Sequence, residues 1–580
     1  MTYKHETDDK MLTQSSASNI RPRGAVFRRL IMGTVLCGCL SAHAASYYVA
    51  PSGSDTGPGT QAQPWRTLQH AADAVAAGDT VLVAPGTYAE QVKFSRSGTP
   101  DHRIVFKNAM AQHPVIEGQG LAVGQWGALV SFTNVAYIRF EGFEVRNSSA
   151  YNVFIGGESH HLELVGLDVH DGPSSGIWVE GPLNRPAMSL IYGNKVHNHK
   201  AGGITIWAQS GGYYRIEANQ VYENLGSGNY DGIQVGGGNG GGHHVVVKSN
   251  IVHDNGSTDA GEDPVDVGGH GLNHHYVVED NYLYNNTGSL KLHSGVPVEG
   301  SYTPGVSGFH IARFNVVVGQ GFVAYDFPNP LVLYNNTFIN CGQCVMFYGQ
   351  DTSANQCLGD STYTGGDTGR MNWKNNLFFQ DADSSSYALL TTGPGAATID
   401  VTYRCVRFQN NMYKFAGGQK IIWGNPAIIY GPPITAAVFS TFQKSTAPSY
   451  PDSGSLVTTA SWNQMFAGSS DYHLAGGSPA IDKGAALTKA LNAGSNATTL
   501  VVDRASYFQD GYCVSGECLN TPDTIVIGSG APVAIVSIND VTNTITLAQP
   551  RTWTAGAGVS LPFNGAAPDI GALEHRRTPN

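Results

Sequence analysis

Between residues 136 and 413 the chain repeats a short apolar strand, a tight turn and a second short strand. A turn position recurs every 21 to 34 residues over its first eight members, and it is usually asparagine: Phe143, Leu167, Asn194, Asn219, Asn250, Asn281, Asn315 and Asn336, continued by Asn376 and Asn411. Such a period with variable insertions is typical of a solenoid, because each coil is too small for its own core and stacking buries one. We expect the stacked asparagines to tolerate left-handed backbone geometry and to hydrogen-bond along the stack.

A third strand lies between successive units, and its centre reads apolar, variable, apolar. Because side chains alternate along a strand, the variable residue should point outward and form a column with its neighbours about 4.8 Å away. The predicted column is Trp178, Thr205, Gln234, Asp266, Lys291 and Ala324. Three strands per coil predict an all-β protein, a right-handed parallel β-helix. The leucine consensus of leucine-rich repeats is absent, and the spacing is too short for four-stranded propeller blades.

Both ends of the solenoid carry sequence typical of caps. Residues 45–135 should hold an N-terminal cap with a short helix at about residues 67–77, followed by first coils that begin at residues 79–83. The β-helix with its groove should span residues 136–420, and the last coils and C-terminal cap residues 421–489. Residues 490–563 alternate apolar and polar positions and predict a small all-β insert, and residues 564–580 complete the cap.

Composition narrows the class of partner. Charged residues make up 13% of the 580-residue chain, glycine occurs 72 times, and the formal net charge is −11. Average proteins have about 25% charged residues, so the chain suits short strands and turns rather than exposed helices. No basic run follows residue 30, which argues against a nucleic-acid partner. An acidic polymer would also be repelled, and a bridging cation would help it to bind.

The N-terminal residues 1–44 have the pattern of a signal peptide. Four arginines between residues 21 and 29 precede an apolar run at residues 30–40, and Ala42-His43-Ala44 is an A-x-A cleavage site. The apolar run is too short to span a bilayer, so we expect export, to the periplasm or outside the cell, and no transmembrane segment. We also expect a monomer.

Six cysteines follow the predicted cleavage site: Cys341, Cys344, Cys357, Cys405, Cys513 and Cys518. An even number in an exported chain indicates disulfides, and Cys513 with Cys518 is the simplest pair to predict. Cys341-x-x-Cys344 is compatible with zinc or redox chemistry, but no second C-x-x-C accompanies it.

Acidic residues cluster around the third strand of two consecutive coils. Asp231 and Asp263 should share one column, Asp266 and Lys291 the next, and Glu262 lies beside Asp263. Four unpaired carboxylates this close would repel strongly. Calcium resolves the repulsion, since it takes six to eight oxygen ligands. The alternative is a solvated acidic turn, which fits Glu262 alone better than it fits the three aspartates in register.

These residues resemble the ninth family of polysaccharide lyases, best known for pectate lyases. Its pattern is Asp-Gly on one coil, Asp-Asp-x-x-Asp on the next and a lysine on a later strand; here the chain has Asp231-Gly232, Glu262-Asp263-Pro264-Val265-Asp266 and Lys291. The resemblance implies that Asp231, Glu262, Asp263 and Asp266 bind Ca²⁺ and that Lys291 is the catalytic base. Glu262 replaces the usual aspartate and Pro264 the usual glycine, so the polymer need not be pectin.

The predicted activity is β-elimination in an acidic polysaccharide: a cation neutralises the uronate carboxylate, and Lys291 removes the C5 proton. Trp178 and Trp207 lie on or beside the same face and are candidates for stacking on sugar rings, although packing explains them equally well. His270 and His293 follow the two key strands and are candidates for substrate contact. Three alternatives stay open: a uronate C5-epimerase, a glycoside hydrolase using two of the aspartates, and a non-catalytic carbohydrate-binding protein.

Overall fold

The structure is a computed structural model that describes residues 44–124, 127–207, 211–225, 231–236, 242–256, 263–268, 274–293, 310–325, 331–341, 344–348, 371–381, 391–392, 406–414 and 452–575. The predicted signal segment, Glu262, His270, Cys357 and Cys405 lie outside these residues. No helix within the described ranges is long and apolar enough to cross a membrane.

Three long parallel sheets form the body of the molecule, and each coil contributes one strand to each sheet in turn. Sheet 1 has 14 described strands: Ser46–Val49, Thr80–Val83, Ile104–Asn108, Ala136–Glu141, His160–Val165, Ser189–Tyr192, Tyr214–Glu217, His243–Lys248, His274–Glu279, His310–Arg313, Leu331–Tyr334, Met371–Lys374, Val406–Gln409 and Asp452–Ser453. Sheet 2 has 13: Thr87–Tyr88, Val115–Glu117, Glu144–Arg146, Asp168–Gly172, Lys195–His199, Gln220–Tyr222, Ile251–His253, Tyr282–Tyr284, Val316–Val318, Thr337–Ile339, Leu377–Phe379, Met412–Lys414 and Leu456–Thr458.

Sheet 3 has 11 described strands: Val92–Phe94, Ala128–Thr133, Tyr151–Gly156, Ile177–Val179, Ile204–Ile206, Ile233–Val235, Val265–Val267, Leu290–His293, Phe322–Tyr325, Val345–Tyr348 and Thr391–Thr392. Inward residues of all three sheets, such as Ile138, Val196 and Ile204, are fully buried in one continuous core. The architecture is the parallel β-helix that the repeat predicted. The coils start earlier than predicted, since Ser46–Val49 already pairs in parallel with Thr80–Val83.

The predicted asparagine stack exists and lies at the turn between sheets 1 and 2. Each amide oxygen accepts from the backbone N–H and the side-chain amide of the asparagine on the preceding coil, as in Asn250 to Asn281 (2.9 and 3.0 Å), and the ladder runs from Asn194 to Asn411. One expectation was wrong in detail: the left-handed residue is the one before each asparagine, such as Asp280 (φ 57°). The asparagine itself turns inward, because its side chain closes the backbone hydrogen bonds of the turn.

The ends are covered as an open solenoid requires. Near the N-terminus a helix, Leu68–Ala74, begins after Thr67, whose hydroxyl accepts from the His70 N–H (3.2 Å). This helix is shorter than predicted, because Val75 turns into extended backbone. A second helix, Trp462–Met465, packs against the last strands of sheet 2.

A small antiparallel module follows the β-helix. Its six-stranded sheet contains Thr488–Lys489, Gly494–Val501, Thr524–Ile527, Val533–Asn539, Thr544–Trp553 and Gly558–Ser560, and Cys513–Val514 pairs with Glu517–Cys518. Cys513 and Cys518 form the predicted disulfide. Cys341 and Cys344 also form a disulfide, so the zinc interpretation of this C-x-x-C is wrong.

The module packs on the outer face of sheet 1. Strands of sheet 1 in early coils alternate buried and half-exposed residues, whereas outward residues in later coils, among them Val246 and Val277, are fully buried against the module. Buried Arg313 joins the two parts, because its guanidinium donates to Glu279 (2.6 Å) and to both oxygens of Asp523 (2.7 and 2.8 Å). Sheet 3, which carries the predicted site, is on another face of the helix.

Candidate functional site

The outward column of sheet 3 brings most of the predicted site residues together. In the strand register Trp178 pairs with Thr205, Thr205 with Gln234, Gln234 with Asp266, and Asp266 with Lys291. The next member is Val323 and not Ala324, because Leu290 pairs with the inward Phe322. The predicted register was wrong by one residue there, since the run from residue 322 to 325 is apolar throughout and shows no alternation.

Asp231, Asp263 and Asp266 form one carboxylate cluster, with a ligand oxygen from each lying within 4.8 Å of the others. Asp231 is 3% exposed and Asp266 is 6% exposed. Asp231 Oδ1 accepts from the Asp263 N–H at 2.7 Å, and Asp263 Oδ1 accepts from the Ser289 N–H at 2.8 Å. Each of these two carboxylates therefore uses one oxygen to hold the next coil.

Gly232 allows the two coils to approach this closely. A Cβ at this position would lie 2.7 Å from the Pro264 carbonyl oxygen and 3.0 Å from Val252. Any larger residue would push apart the coils that carry Asp231 and Asp263. The glycine of the Asp-Gly motif thus has a packing reason that is independent of any ligand.

Lys291 lies across the carboxylate cluster. Its Nζ is 3.0 Å from Asp266 Oδ2 and 3.2 Å from Asp263 Oδ2, and its side chain is 16% exposed. The strand pattern predicted a contact of Lys291 with Asp266 alone. The contact with Asp263 and the backbone donor Ser289 were not predicted, because both depend on how neighbouring coils stack.

The charges of the cluster favour binding of a cation. Burial, together with repulsion from Asp266 and Asp263, raises the pKa of Asp231 well above its usual value. Burial raises the pKa of Asp263 to about 6, although Lys291 opposes the shift. Burial lowers the pKa of Lys291, but attraction by Asp266, Asp263 and Asp231 outweighs it, and the net pKa is above the ordinary value. Three carboxyl groups against one ammonium, counted over the described residues, leave the pocket short of positive charge.

The donor set fits a hard divalent cation. Calcium prefers carboxylate and carbonyl oxygens and takes six to eight of them. The three aspartates supply part of that shell from two consecutive coils. Glu262, also predicted as a ligand, lies outside the described residues, so its contribution stays a prediction.

Aromatic side chains continue the same face toward the N-terminus. Trp178 is 8% exposed and stacks between Tyr151 (5.1 Å between ring centroids) and Trp207 (5.7 Å), while Phe154 lies against Tyr151. We call Tyr151, Phe154, Trp178 and Trp207 the aromatic patch. Tyr151 and Phe154 were not predicted. Phe154 pairs with Trp178, so extending the column by one coil would have found it.

The structure does not describe the side chains of two predicted histidines. His270 lies outside the described residues, and His293 ends the strand Leu290–His293 with only its backbone described. Their assignment to substrate contact stays a prediction.

Comparison with known proteins agrees with this architecture. Residues 47–274 match the family model of the Pel9A-like right-handed β-helix region, a range that includes the three aspartates but ends before Lys291. An uncharacterized protein of Bacillus subtilis (strain 168), YwoF, is 33% identical over 125 residues, which are 20% of this chain and 27% of that protein. The match thus spans about a quarter of the length of this relative.

Two solved structures overlap much of the chain at low identity. The crystal structure of pectate lyase Pel9A overlaps 92% of this chain and 96% of its own at 14% identity, with a TM-score of 0.44. A mannuronic-acid-specific family 6 polysaccharide lyase from human gut microbiota overlaps 70% of this chain and 96% of its own at 14% identity, with a TM-score of 0.41. Likeness at this level says nothing about substrate. Residues 47–274 thus match the Pel9A-like right-handed β-helix region and fold as coils of a parallel β-helix.

Proposed function

We propose that this chain is an exported, calcium-dependent polysaccharide lyase that cleaves a uronic-acid-containing polysaccharide by β-elimination. The observation that carries the proposal is the position of Lys291, whose amine lies within 3.2 Å of two buried carboxylates in a cluster of three. This arrangement supports the proposal of a base beside a divalent-cation site on an outward face of the β-helix.

Lys291 would act on the C5 proton of a uronate residue. A neutral amine at Nζ can accept this proton, after which the 4-linked sugar leaves and a C4–C5 double bond forms. Asp263 and Asp266 hold the amine in place and keep its side chain extended across the cluster. The same carboxylates also favour the protonated lysine, so the base requires that their charge be compensated.

A bound Ca²⁺ would supply that compensation and would neutralise the uronate carboxylate, which makes the C5 proton acidic enough to remove. Asp231, Asp263 and Asp266 are the described residues that would hold it. Asp231 and Asp263 are each anchored by a backbone N–H of the next coil, so the donor oxygens are fixed before any ligand arrives.

The aromatic patch supports a sugar polymer as substrate. Trp178 lies three strands from Asp266 in the same column, a distance of about 14 Å at the usual strand spacing. Trp207, half-buried beside Trp178, and Phe154 are the members with ring surface left for stacking.

The carboxylate spacing argues against hydrolysis. Glycosidases place their two carboxyl groups about 5–5.5 Å apart when retaining and about 6.5–9.5 Å apart when inverting. Here one oxygen from each of the three carboxylates lies within 4.8 Å of the others, and two of the carboxylates contact Lys291, which suits ion binding better than separate acid and nucleophile roles. A C5-epimerase would use the same base and differs only in the fate of the intermediate.

The test is a screen of acidic polysaccharides for the ultraviolet absorbance of an unsaturated uronate, with Ca²⁺ and with a chelator. Lys291→Ala should abolish the signal, whereas Lys195→Ala, an exposed outward lysine on sheet 2, should leave it unchanged. Exchange of the C5 hydrogen with solvent without cleavage would establish an epimerase. New reducing ends without absorbance would establish a hydrolase, and no reaction on any polymer would refute an enzymatic role.

A further inference from the structure

A second cluster of metal-ligating side chains lies on sheet 1, where the β-helix meets the antiparallel module. Two consecutive strands begin with paired histidines, His243-His244 and His274-His275. The Nδ1 atoms face each other within each pair, at 2.8 Å and 2.7 Å. We call these four side chains the histidine cluster.

Stacking of the coils brings the two pairs into register. His243 stacks on His274 with ring centroids 5.0 Å apart, and His244 stacks on His275 at 4.6 Å, both within 5° of parallel. One ring nitrogen from each of His244, His274 and His275 lies within 4.8 Å of the other two. Three imidazoles from two coils therefore lie close enough together to be candidate ligands of one ion.

Hydrogen bonds fix the orientation of the rings in the histidine cluster. His275 Nε2 lies 3.1 Å from Asp540 Oδ2, so it carries a proton and donates it to that carboxylate. With Nε2 of His275 donating to Asp540, its Nδ1 accepts from the Nδ1–H of His274.

In a metal site at this position an ion would replace the proton that His274 and His275 share. Zinc binds imidazole nitrogen at about 2.0–2.1 Å, so two nitrogens on one tetrahedral ion are about 3.3 Å apart. The pair His274-His275 would open by about 0.6 Å to admit it. Metal-binding histidines commonly donate their second ring N–H to a carboxylate, which is the relation of His275 to Asp540.

The antiparallel module supplies the remaining walls of a cavity beside the histidine cluster. A cavity of about 180 Å³ adjoins the cluster and is lined by His244 and His275 from the β-helix and by Asp510 and Asp540 from the module, among others. There is room for an ion and water. The two carboxylates compensate the charge of a divalent cation in a place where the β-helix alone offers only imidazoles.

We propose that His244, His274 and His275 bind a transition-metal ion, for which Zn²⁺ is the best chemical match, and that this ion strengthens the junction between the β-helix and the module. Imidazole suits zinc, copper and nickel, whereas calcium prefers oxygen donors. The histidine cluster is therefore separate in both place and metal preference from the carboxylate cluster on sheet 3.

The chain contains a matched control for this proposal. His160 and His161 form a third pair with the same Nδ1 contact, and His161 Nε2 lies 2.9 Å from Glu517 of the module. His161 stacks on Tyr137, however, and not on another histidine. This pair therefore offers two imidazoles from one coil, which is too few for a comparable site.

The experiment is calorimetric titration of Zn²⁺ into the full-length, untagged protein, after dialysis against a chelator and with excess Ca²⁺ present. His244→Asn and His275→Asn replace left-handed residues (φ 55° and 58°) by the residue that best tolerates this conformation. We expect one zinc per chain with micromolar or tighter affinity, at least a 100-fold loss in either variant, and about a 10- to 100-fold loss in Asp540→Asn.

His161→Asn, also at a left-handed position (φ 53°), should leave zinc affinity within about twofold of the wild type. Zn²⁺ should raise the unfolding temperature of the wild type and of His161→Asn but not of His275→Asn. Absence of millimolar or tighter binding, or an equal loss in His161→Asn and His275→Asn, would overturn the proposal. If one histidine variant does not fold, the other and Asp540→Asn decide the outcome.

Discussion

Replacement of Lys291 by arginine separates a base from a mere positive charge. Arginine keeps the cation beside Asp263 and Asp266, but its guanidinium stays protonated at any workable pH and cannot accept the C5 proton. General-base catalysis is worth about 10²–10⁴-fold, so turnover should fall by this factor. The activation free energy would then rise by about 2.7–5.5 kcal/mol. Lys291→Ala should lose at least as much.

The same structure predicts what Lys291→Ala does to stability and to ion binding. At an effective dielectric constant of 20, each contact near 3 Å is worth about 5 kcal/mol before desolvation is counted. Removing one partner of such a buried pair costs about 3–5 kcal/mol, because the remaining charges are left uncompensated. In chelator the variant should therefore unfold at lower denaturant concentration than the wild type. Calcium should restore its stability, and calcium affinity should be equal or higher, since the competing ammonium is gone.

The assay is elimination by absorbance on the polymer found in the screen, combined with calcium calorimetry and urea unfolding. Lys195→Ala serves as the control for both measurements. Elimination at near wild-type turnover in Lys291→Arg would show that the lysine only supplies charge, and His270 and His293 would become the next candidates for the base. Loss of calcium affinity in Lys291→Ala would show that the carboxylate cluster needs the lysine to keep its shape.

Asp263→Asn should weaken Ca²⁺ binding by at least 10-fold in calorimetry; unchanged affinity would place the ion elsewhere. In calcium-free protein the Asp263 pKa is about 6, against 3.8 when unfolded, so its protonated form contributes stability below about pH 4 that is lost as the pH rises through 6. Urea unfolding of wild type and Asp263→Asn at several pH values should show this difference, and parallel curves would contradict it. Trp207→Ala should raise KM more than it lowers kcat, because stacking holds the polymer but takes no part in proton transfer; an unchanged KM would remove the aromatic patch from the substrate path. Asn281→Ala should cost about 2–4 kcal/mol of unfolding free energy, because it removes an oxygen that accepts from two donors of the preceding coil; a loss below about 0.5 kcal/mol would contradict the ladder. Mass spectrometry of the exported protein should find an N-terminus just after Ala44, and a retained first methionine would refute the signal peptide.

Local pattern sufficed for much of the fold. Strand alternation and the recurring asparagine are short-range signals, so the coils, the Asn194 to Asn411 ladder and the outward column through Asp266 and Lys291 could be predicted from the chain alone. The pairing of Cys513 with Cys518 needed only their proximity in sequence. The same signals fail where alternation stops, and this is why Val323 replaces Ala324 in the column.

Tertiary structure decided the contacts between distant segments. Asp540 reaches His275 across 265 residues, and Asp523 reaches Arg313 across 210, because the module folds back onto sheet 1. Nothing in either local sequence specifies that docking; it follows from burial of apolar faces that become adjacent only after both parts have formed. The carboxylate cluster was predicted only in part. The alternation of side chains along each strand predicts its columns. The backbone donors and the second contact of Lys291 depend on the close approach of neighbouring coils, which Gly232 allows.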